Sequence, residues 1–245
     1  MTYNTALILI ILFATLFGYF FGSLNWSIIL GKLFYKKDPR DFESKNAGAT
    51  NSIRIYGKKT AAIILFLDVM KSFLSTIFTF LIAKFAFGSI LDLHITNSFN
   101  PYVLIYLGGI FATIGHCFPI FFKFKGGKGA STFGGTLWAI SPIMAIFLLI
   151  LSLLILKKTK MASFSVLIVA FFSLFTIFIP GLNYCFLLEP DIKKLILLTT
   201  VSIEQISLLF AFQTIGFIII LIKHKENIKR IINKEERLLS LKKTS

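Results

Sequence analysis

Apolar stretches of about 20 residues recur along the whole chain, the length an α-helix needs to cross a hydrocarbon core about 30 Å thick. In lipid every backbone amide must be satisfied internally, so such stretches have to be helical. The chain has 245 residues, of which 56% are hydrophobic and only 15% charged. A soluble domain carries about 25% charge, so the polar surface here is too small for a water-soluble globule. The sequence therefore predicts an all-α, polytopic integral membrane protein forming a single domain over 1–245.

Five spans can be placed directly, at about 6–30, 61–87, 102–122, 163–182 and 196–222. The loops between them differ sharply in charge. The 31–60 loop holds Lys32, Lys36, Lys37, Arg40, Lys45, Arg54, Lys58 and Lys59, whereas 88–101 holds no Lys or Arg. Lys123, Lys125 and Lys128 follow the third span, and Lys157, Lys158 and Lys160 precede the fourth. Because Lys and Arg collect on cytoplasmic loops, 31–60 and 123–130 lie inside, and the N-terminus lies outside. The apolar stretch 131–156 has basic flanks at both ends, so one crossing would carry the second flank and the basic tail outside. Two shorter helices broken at Ser141-Pro142 keep both flanks inside, since proline lacks a donor and clashes with the preceding turn. Each arm is then expected to be too short to span alone and to lean on protein. The result is seven transmembrane helical segments with the N-terminus outside and the C-terminus cytoplasmic. The tail 223–245, with Ile228, Ile231, Ile232 and Leu238 among basic residues, suits an amphipathic helix on an anionic surface.

The net charge of +15 has its explanation in this loop asymmetry, and no nucleic-acid partner is expected. Cys117 and Cys185 offer neither metal spacing nor a disulfide framework, and no cofactor or metal is expected. The first apolar run lacks a basic leader region and a small-residue cleavage site, so it reads as a retained helix.

Three polar stretches carry possible chemistry. In Lys125-Gly126-Gly127-Lys128-Gly129 the glycines let backbone amides approach an anion while ammonium groups supply charge. The phosphate-loop spacing is absent, and spacing alone leaves phosphate binding and a flexible basic loop both open. The second stretch, Asp38 to Arg54, holds Ser44, Asn46, Gly48, Thr50 and Asn51 between Arg40 and Arg54. Arginine binds phosphate bidentately, and Ser or Asn can fix hydroxyls. In the third, His224 and Asn227 share a helix face at i and i+3, and histidine suits proton transfer near neutral pH. Asp68 and Lys71, at i and i+3 inside the second span, read as a structural ion pair or as charges close to a substrate. Ser163 is a helix cap or a ligand.

Together these stretches resemble the bacterial acyl-phosphate-dependent glycerol-3-phosphate acyltransferases. The family's GSGNxGATNxxR is read here as Glu43 to Arg54, GHxFPxFxxFKGGKG is matched from Gly115 to Gly129, and HxxNIxR is matched by His224, Asn227, Ile228 and Arg230. The resemblance implies transfer of a fatty acyl group from acyl phosphate to the sn-1 hydroxyl of glycerol 3-phosphate, giving lysophosphatidic acid and phosphate, with the site toward the cytoplasm of a bacterial cell membrane. It further implies a functional link to an enzyme that forms acyl phosphate. Carried over by position, the family's catalytic residues fall on Ser44, Arg54, Lys128, His224 and Asn227. Substrate-binding roles fall to Asn46, Gly48, Thr50, Asn51, Lys125, Gly126, Gly127, Gly129 and Ser163. Two glycines of the pattern are replaced by Glu43 and Lys45, which would strain the chain if those positions have positive φ.

No Ser-His-Asp set with credible spacing appears, which disfavours an acyl-enzyme. An anion transporter would place ionisable groups near the midplane, whereas here, apart from Asp68 and Lys71, they cluster at one interface. Proton removal from the attacking hydroxyl is open between His224 and a substrate phosphate oxygen.

Overall fold

The computed structural model describes residues 1–95, 100–179 and 203–239. Among these the chain is helical throughout: α1 Tyr3–Gly22, α2 Trp26–Tyr35, α3 Ala49–Leu91, α4 Tyr106–Cys117, α5 Ala130–Ile140, α6 Pro142–Thr159, α7 Ala162–Thr176, α8 Ile203–Lys223 and α9 Lys225–Ile232. Short 3-10 turns at Asp92–His94, Pro101–Ile105 and Ile120–Phe122 complete it. Among the described residues, five helical stretches are long and apolar enough to cross a membrane: Tyr3–Tyr35, Ala49–His94, Pro101–Phe122, Pro142–Thr159 and Ile206–Lys223; Ala162–Thr176 is apolar but shorter.

Several expected boundaries move, each for a local reason. The first span is not continuous over 6–30. Ser23 donates its hydroxyl to the Tyr19 carbonyl, and the buried Asn25 accepts from the Ile28 amide at 3.2 Å, ending α1 and starting α2. The second helix begins twelve residues earlier than its apolar run, at Ala49, and bends at Gly57, whose φ of 83° and ψ of 172° are non-helical. This puts Thr50, Asn51 and Arg54 on a helix instead of in a loop. Within 102–122 only Tyr106–Cys117 is α-helical, flanked by 3-10 turns.

The break at Ser141-Pro142 is present, with Ser141 Oγ accepting from the Met144 amide at 3.3 Å. The expectation that both arms are too short holds for α5, with 11 residues, but not for α6, with 18. At about 1.5 Å per residue α6 is some 27 Å long. The tail also departs from expectation: helix α9 stops at Ile232, so Leu238 lies beyond it. The 183–195 loop, the start of the 196–222 span, residues 180–182 and the end of the tail lie outside the described residues.

Small residues bring the inner helices together. A methyl group added to Gly18 would fall 2.4 Å from the Gly108 carbonyl oxygen, and one on Gly22 would fall 2.2 Å from that of Ala112. Without a hydrophobic force between helices in lipid, such close backbone approach supplies the association. Helix α3 turns a polar stripe inward, with Ser72, Ser75, Thr76 and Thr79 buried. Ser75, Thr76 and Thr79 satisfy their hydroxyls on carbonyls one turn earlier, at 2.8 to 3.0 Å. Helix α6, by contrast, exposes Ile146, Leu149, Ile150, Leu153 and Leu154, a surface suited to lipid.

Candidate active site

The site is assembled by loops that are held from behind. Asp38 and Arg40 form a two-point ion pair, Nε to Oδ1 at 2.9 Å and Nη2 to Oδ2 at 2.7 Å, and this hydrogen-bonded guanidinium holds the Asp38 carboxyl down to about 2. The remaining Arg40 nitrogen donates to the Phe122 carbonyl at 2.8 Å, tying the 36–48 loop to the Pro119–Gly129 loop. Asn51 receives the Ser44 amide at 3.1 Å and donates to the carbonyls of Pro39 and Phe42. Its amide is thus engaged in shaping the loop that presents Ser44.

Beneath these loops a buried cluster pins three segments. The Lys71 ammonium lies 3.1 Å from Asp68 Oδ1, 2.9 Å from His116 Nδ1 and 2.9 Å from the Leu24 carbonyl oxygen. His116 Nδ1 also lies 3.5 Å from Asp68 Oδ1, so both partners hold this edge of the ring, and Nε2 is the nitrogen on the far edge. That nitrogen faces Gly127, where an added methyl group would come within 2.0 Å of it. The glycines at 126 and 127 are therefore demanded by close packing on His116, and Gly127 donates its amide to the His116 carbonyl at 3.1 Å.

A cavity of about 200 Å³ opens in front of this framework, lined by Ser44, Asn46, Gly48, Thr50, Asn51, Arg54, Lys128, Gly129, Ser163, His224 and Asn227, among others. Eleven of the fourteen expected site residues meet there. Lys125, Gly126 and Gly127 do not line it; Gly126 and Gly127 belong to the packing behind it.

Three helices aim their N-termini into the cavity. Its wall includes Gly48 to Asn51 at the start of α3, Gly129 to Ser131 at the start of α5, and Ala162 and Ser163 at the start of α7. None of the three has a side-chain cap, whereas α1, α2 and α6 are capped by Thr2, Asn25 and Ser141. Uncapped first-turn amides together with the positive end of the helix dipole make an anion site. Three such ends, with Lys128 and Arg54 beside them, suit a highly charged anion.

One side of the cavity is closed by a polar network. Lys128 Nζ donates to Asn227 Oδ1. Asn227 Nδ2 donates to Ser163 Oγ at 2.6 Å and to Glu236 Oε1 at 2.8 Å, and Arg230 Nε donates to Glu236 Oε2 at 3.0 Å. Burial would raise the Glu236 carboxyl, but hydrogen bonds from Asn227, Ser163 and Arg230 bring it below the usual carboxylate range. Burial, with Arg230 nearby, lowers the Lys128 ammonium to about 8. Burial also lowers His224 to about 4, so its imidazole is neutral at physiological pH. Its Nδ1 lies 2.9 Å from the Ile220 carbonyl oxygen, which can only accept, so Nε2 is left with a lone pair.

A glycerol-3-phosphate acyltransferase of Ureaplasma parvum is 42% identical over 95% of this chain and 90% of its own length. A Mycoplasma pneumoniae protein of the same description is 36% identical, covering 95% of each. The family model described as glycerol-3-phosphate acyltransferase matches residues 12–234. The chain belongs to the glycerol-3-phosphate acyltransferase family. The crystal structure of PlsY (YgiH), an integral membrane glycerol 3-phosphate acyltransferase, in its glycerol 3-phosphate form superposes with a TM-score of 0.72 at 26% identity, covering 94% of this chain and 96% of that one. Its lysophosphatidic acid form gives a TM-score of 0.69 at the same identity, covering 93% and 94%. This glycerol-3-phosphate acyltransferase family member is accordingly a multi-pass membrane acyltransferase, and phospholipid synthesis is the process its family's reaction feeds.

Glu236, Arg237 and Leu239 line the cavity although no sequence pattern singles them out. The chain after α9 turns back, with the Leu239 amide on the Lys160 carbonyl at 2.7 Å. His116 lies inside the 115–129 motif, and its place beside Lys71 is what distinguishes it from a packing histidine.

Proposed function

We propose that this protein transfers a fatty acyl group from acyl phosphate to the sn-1 hydroxyl of glycerol 3-phosphate, releasing lysophosphatidic acid and inorganic phosphate. One observation carries this. The anion-binding cavity runs directly into an apolar groove of about 450 Å³, and Leu65, Ala130, Ser131 and Val166 line both. A donor with a phosphate head and a long acyl tail has that shape and that division of polarity. The groove walls come from α3, α5, α6, α7 and α8, so the tail lies between helices.

In this mechanism Lys128, Arg54 and the amides opening α3, α5 and α7 hold the phosphate groups of both substrates. Ser44 and Asn46 place glycerol 3-phosphate. Holding two reactants in line supplies about 7–11 kcal/mol of the barrier. The hydroxyl oxygen attacks the acyl carbonyl carbon, the bond from that carbon to the phosphate oxygen breaks, and phosphate leaves with the electron pair. His224, at about 4, is a weaker base than a phosphate monoester, whose second pKa is about 6. His224 Nε2 therefore accepts the hydrogen bond that orients the hydroxyl, and a phosphate oxygen takes the proton.

The basic loops that build the cavity face the cytoplasm under the positive-inside rule, with seven helical segments, the N-terminus outside and the C-terminus inside. The membrane is that of a bacterial cell, and the donor comes from an enzyme that forms acyl phosphate.

The test is phosphate release from purified protein given palmitoyl phosphate and glycerol 3-phosphate together, then each alone, with mass spectrometry of the lipid product. Release that needs both substrates, with lysophosphatidic acid formed, is expected. Release independent of glycerol 3-phosphate, or none at all, would overturn the assignment.

A further inference from the structure

Two glycines stand side by side in α5, and only one has a packing reason to be glycine. A methyl group on Gly135 would fall 2.1 Å from the Val69 carbonyl oxygen and 2.4 Å from Ser72 Oγ. A methyl group on Gly134 would meet nothing within 4 Å. Glycine inside a helix costs stability relative to alanine, because the unfolded chain loses more freedom. Nor does Gly134 serve as a helix end, since α5 runs from Ala130 to Ile140 with ordinary continuity on both sides.

The space beside Gly134 belongs to the apolar groove, which Gly134 lines together with Leu137, Trp138, Leu148 and Leu153. Ala130 and Ser131, which line both the polar cavity and the groove, precede Gly134 by four and three positions, about one helical turn or 4.5–6 Å. Residues so spaced share a helix face. The missing side chain therefore sits on the groove wall one turn in from the junction with the reacting end. Leu65 and Val166, which also line both spaces, form the junction with Ala130 and Ser131.

We propose that Gly134 is a specificity-determining position: its absent side chain leaves the passage through which a long acyl chain runs. This rests on the proposed acyl-phosphate reaction and names the residue that admits the long chain. A side chain placed there fills the passage without displacing protein, so it selects against long donors while short ones still seat their head groups.

The experiment compares kcat/KM for palmitoyl phosphate and octanoyl phosphate in wild type and in Gly134→Ala, Gly134→Leu and Gly134→Phe, with glycerol 3-phosphate saturating. The long-to-short ratio is expected to fall with side-chain size, by about 10-fold or more for Phe, since a filled apolar subsite discriminates over roughly 10–200-fold. To separate occlusion from misfolding, Gly134→Cys is purified and then alkylated with methyl or hexyl methanethiosulfonate, wild type being treated in parallel. The hexyl adduct is expected to lower the ratio further than the methyl adduct. A ratio that stays at the wild-type value in folded Leu, Phe or hexyl-labelled protein, or an equal loss with both donors, would overturn this proposal and leave the acyl-phosphate reaction standing. Wild-type protein that turns over neither acyl phosphate would instead remove the reaction on which it rests.

Discussion

Asn227 and Ser163, separated by 64 residues in sequence, meet across a 2.6 Å hydrogen bond from Nδ2 to Oγ. The same amide nitrogen reaches Glu236 at 2.8 Å, and the amide oxygen receives Lys128 Nζ. Asn227 thus holds the cationic group that faces the cavity. Asn227→Ala leaves the buried Glu236 oxygen and the Lys128 ammonium without this partner, a cost of about 1–3 kcal/mol, and is expected to lower kcat by about 10- to 100-fold. Ser163→Ala removes one contact and is expected to cost about 10-fold. In the double variant the two losses are expected not to add, because the residues share one network. Phosphate-release kinetics on all three variants check this, and additive effects would mean the two residues act separately.

The alkaline side of the pH profile is assigned to Lys128. Its ammonium is lowered to about 8 by burial, so the charge facing the substrate phosphates is present below about 8 and lost above it. His224, lowered to about 4, is neutral over the same range and sets only an acidic limit. kcat/KM for glycerol 3-phosphate is expected to be highest between about pH 6 and 8, falling below about 6 as the phosphate that takes the proton is itself protonated and above about 8 as Lys128 loses its charge. Lys128→Arg keeps its charge through this range, so whatever its rate, the fall above pH 8 is expected to disappear. A persisting fall would move the titration to another group.

Glu43 and Lys45 flank Ser44 with φ of 53° and 54°. A left-handed conformation costs an ordinary residue about 1–2 kcal/mol, and the extra chain entropy that glycine loses on folding offsets part of it. Glu43→Gly and Lys45→Gly are each expected to stabilise the protein by about 0.5–1 kcal/mol, read as a higher melting temperature in detergent. Unchanged or lower melting temperatures would show that the loop tolerates these side chains without strain.

The buried ion pair between Lys71 and Asp68, 3.1 Å apart, is expected to show the asymmetry of such pairs. Lys71→Met strands the Asp68 carboxylate, at a cost of about 3–5 kcal/mol. Asp68→Asn combined with Lys71→Met removes both charges and is expected to be the less damaging change. Denaturation midpoints of the two proteins decide it, and a double variant less stable than Lys71→Met alone would contradict the pairing.

The rough position of most apolar helices, the uneven charge of the loops and the break at Ser141-Pro142 are all determined by sequence alone. Each is a local or one-dimensional quantity: hydrophobic length against a fixed membrane thickness, charge summed over a loop, a proline without an amide donor. The motif residues are equally local, and most of them do line one cavity. Helix breaks made by side-chain capping, as at Asn25, were not legible, because an apolar run on both sides hides them. Nor was the start of α3 at Ala49, since a polar sequence outside the membrane carries no hydropathy signal. The tertiary structure alone decided that three uncapped helix N-termini converge on the cavity, that Glu236 returns to hold Asn227, and that His116 sits against both Lys71 and Asp68. These depend on distances between segments far apart in the chain, which packing sets and no spacing along the sequence records.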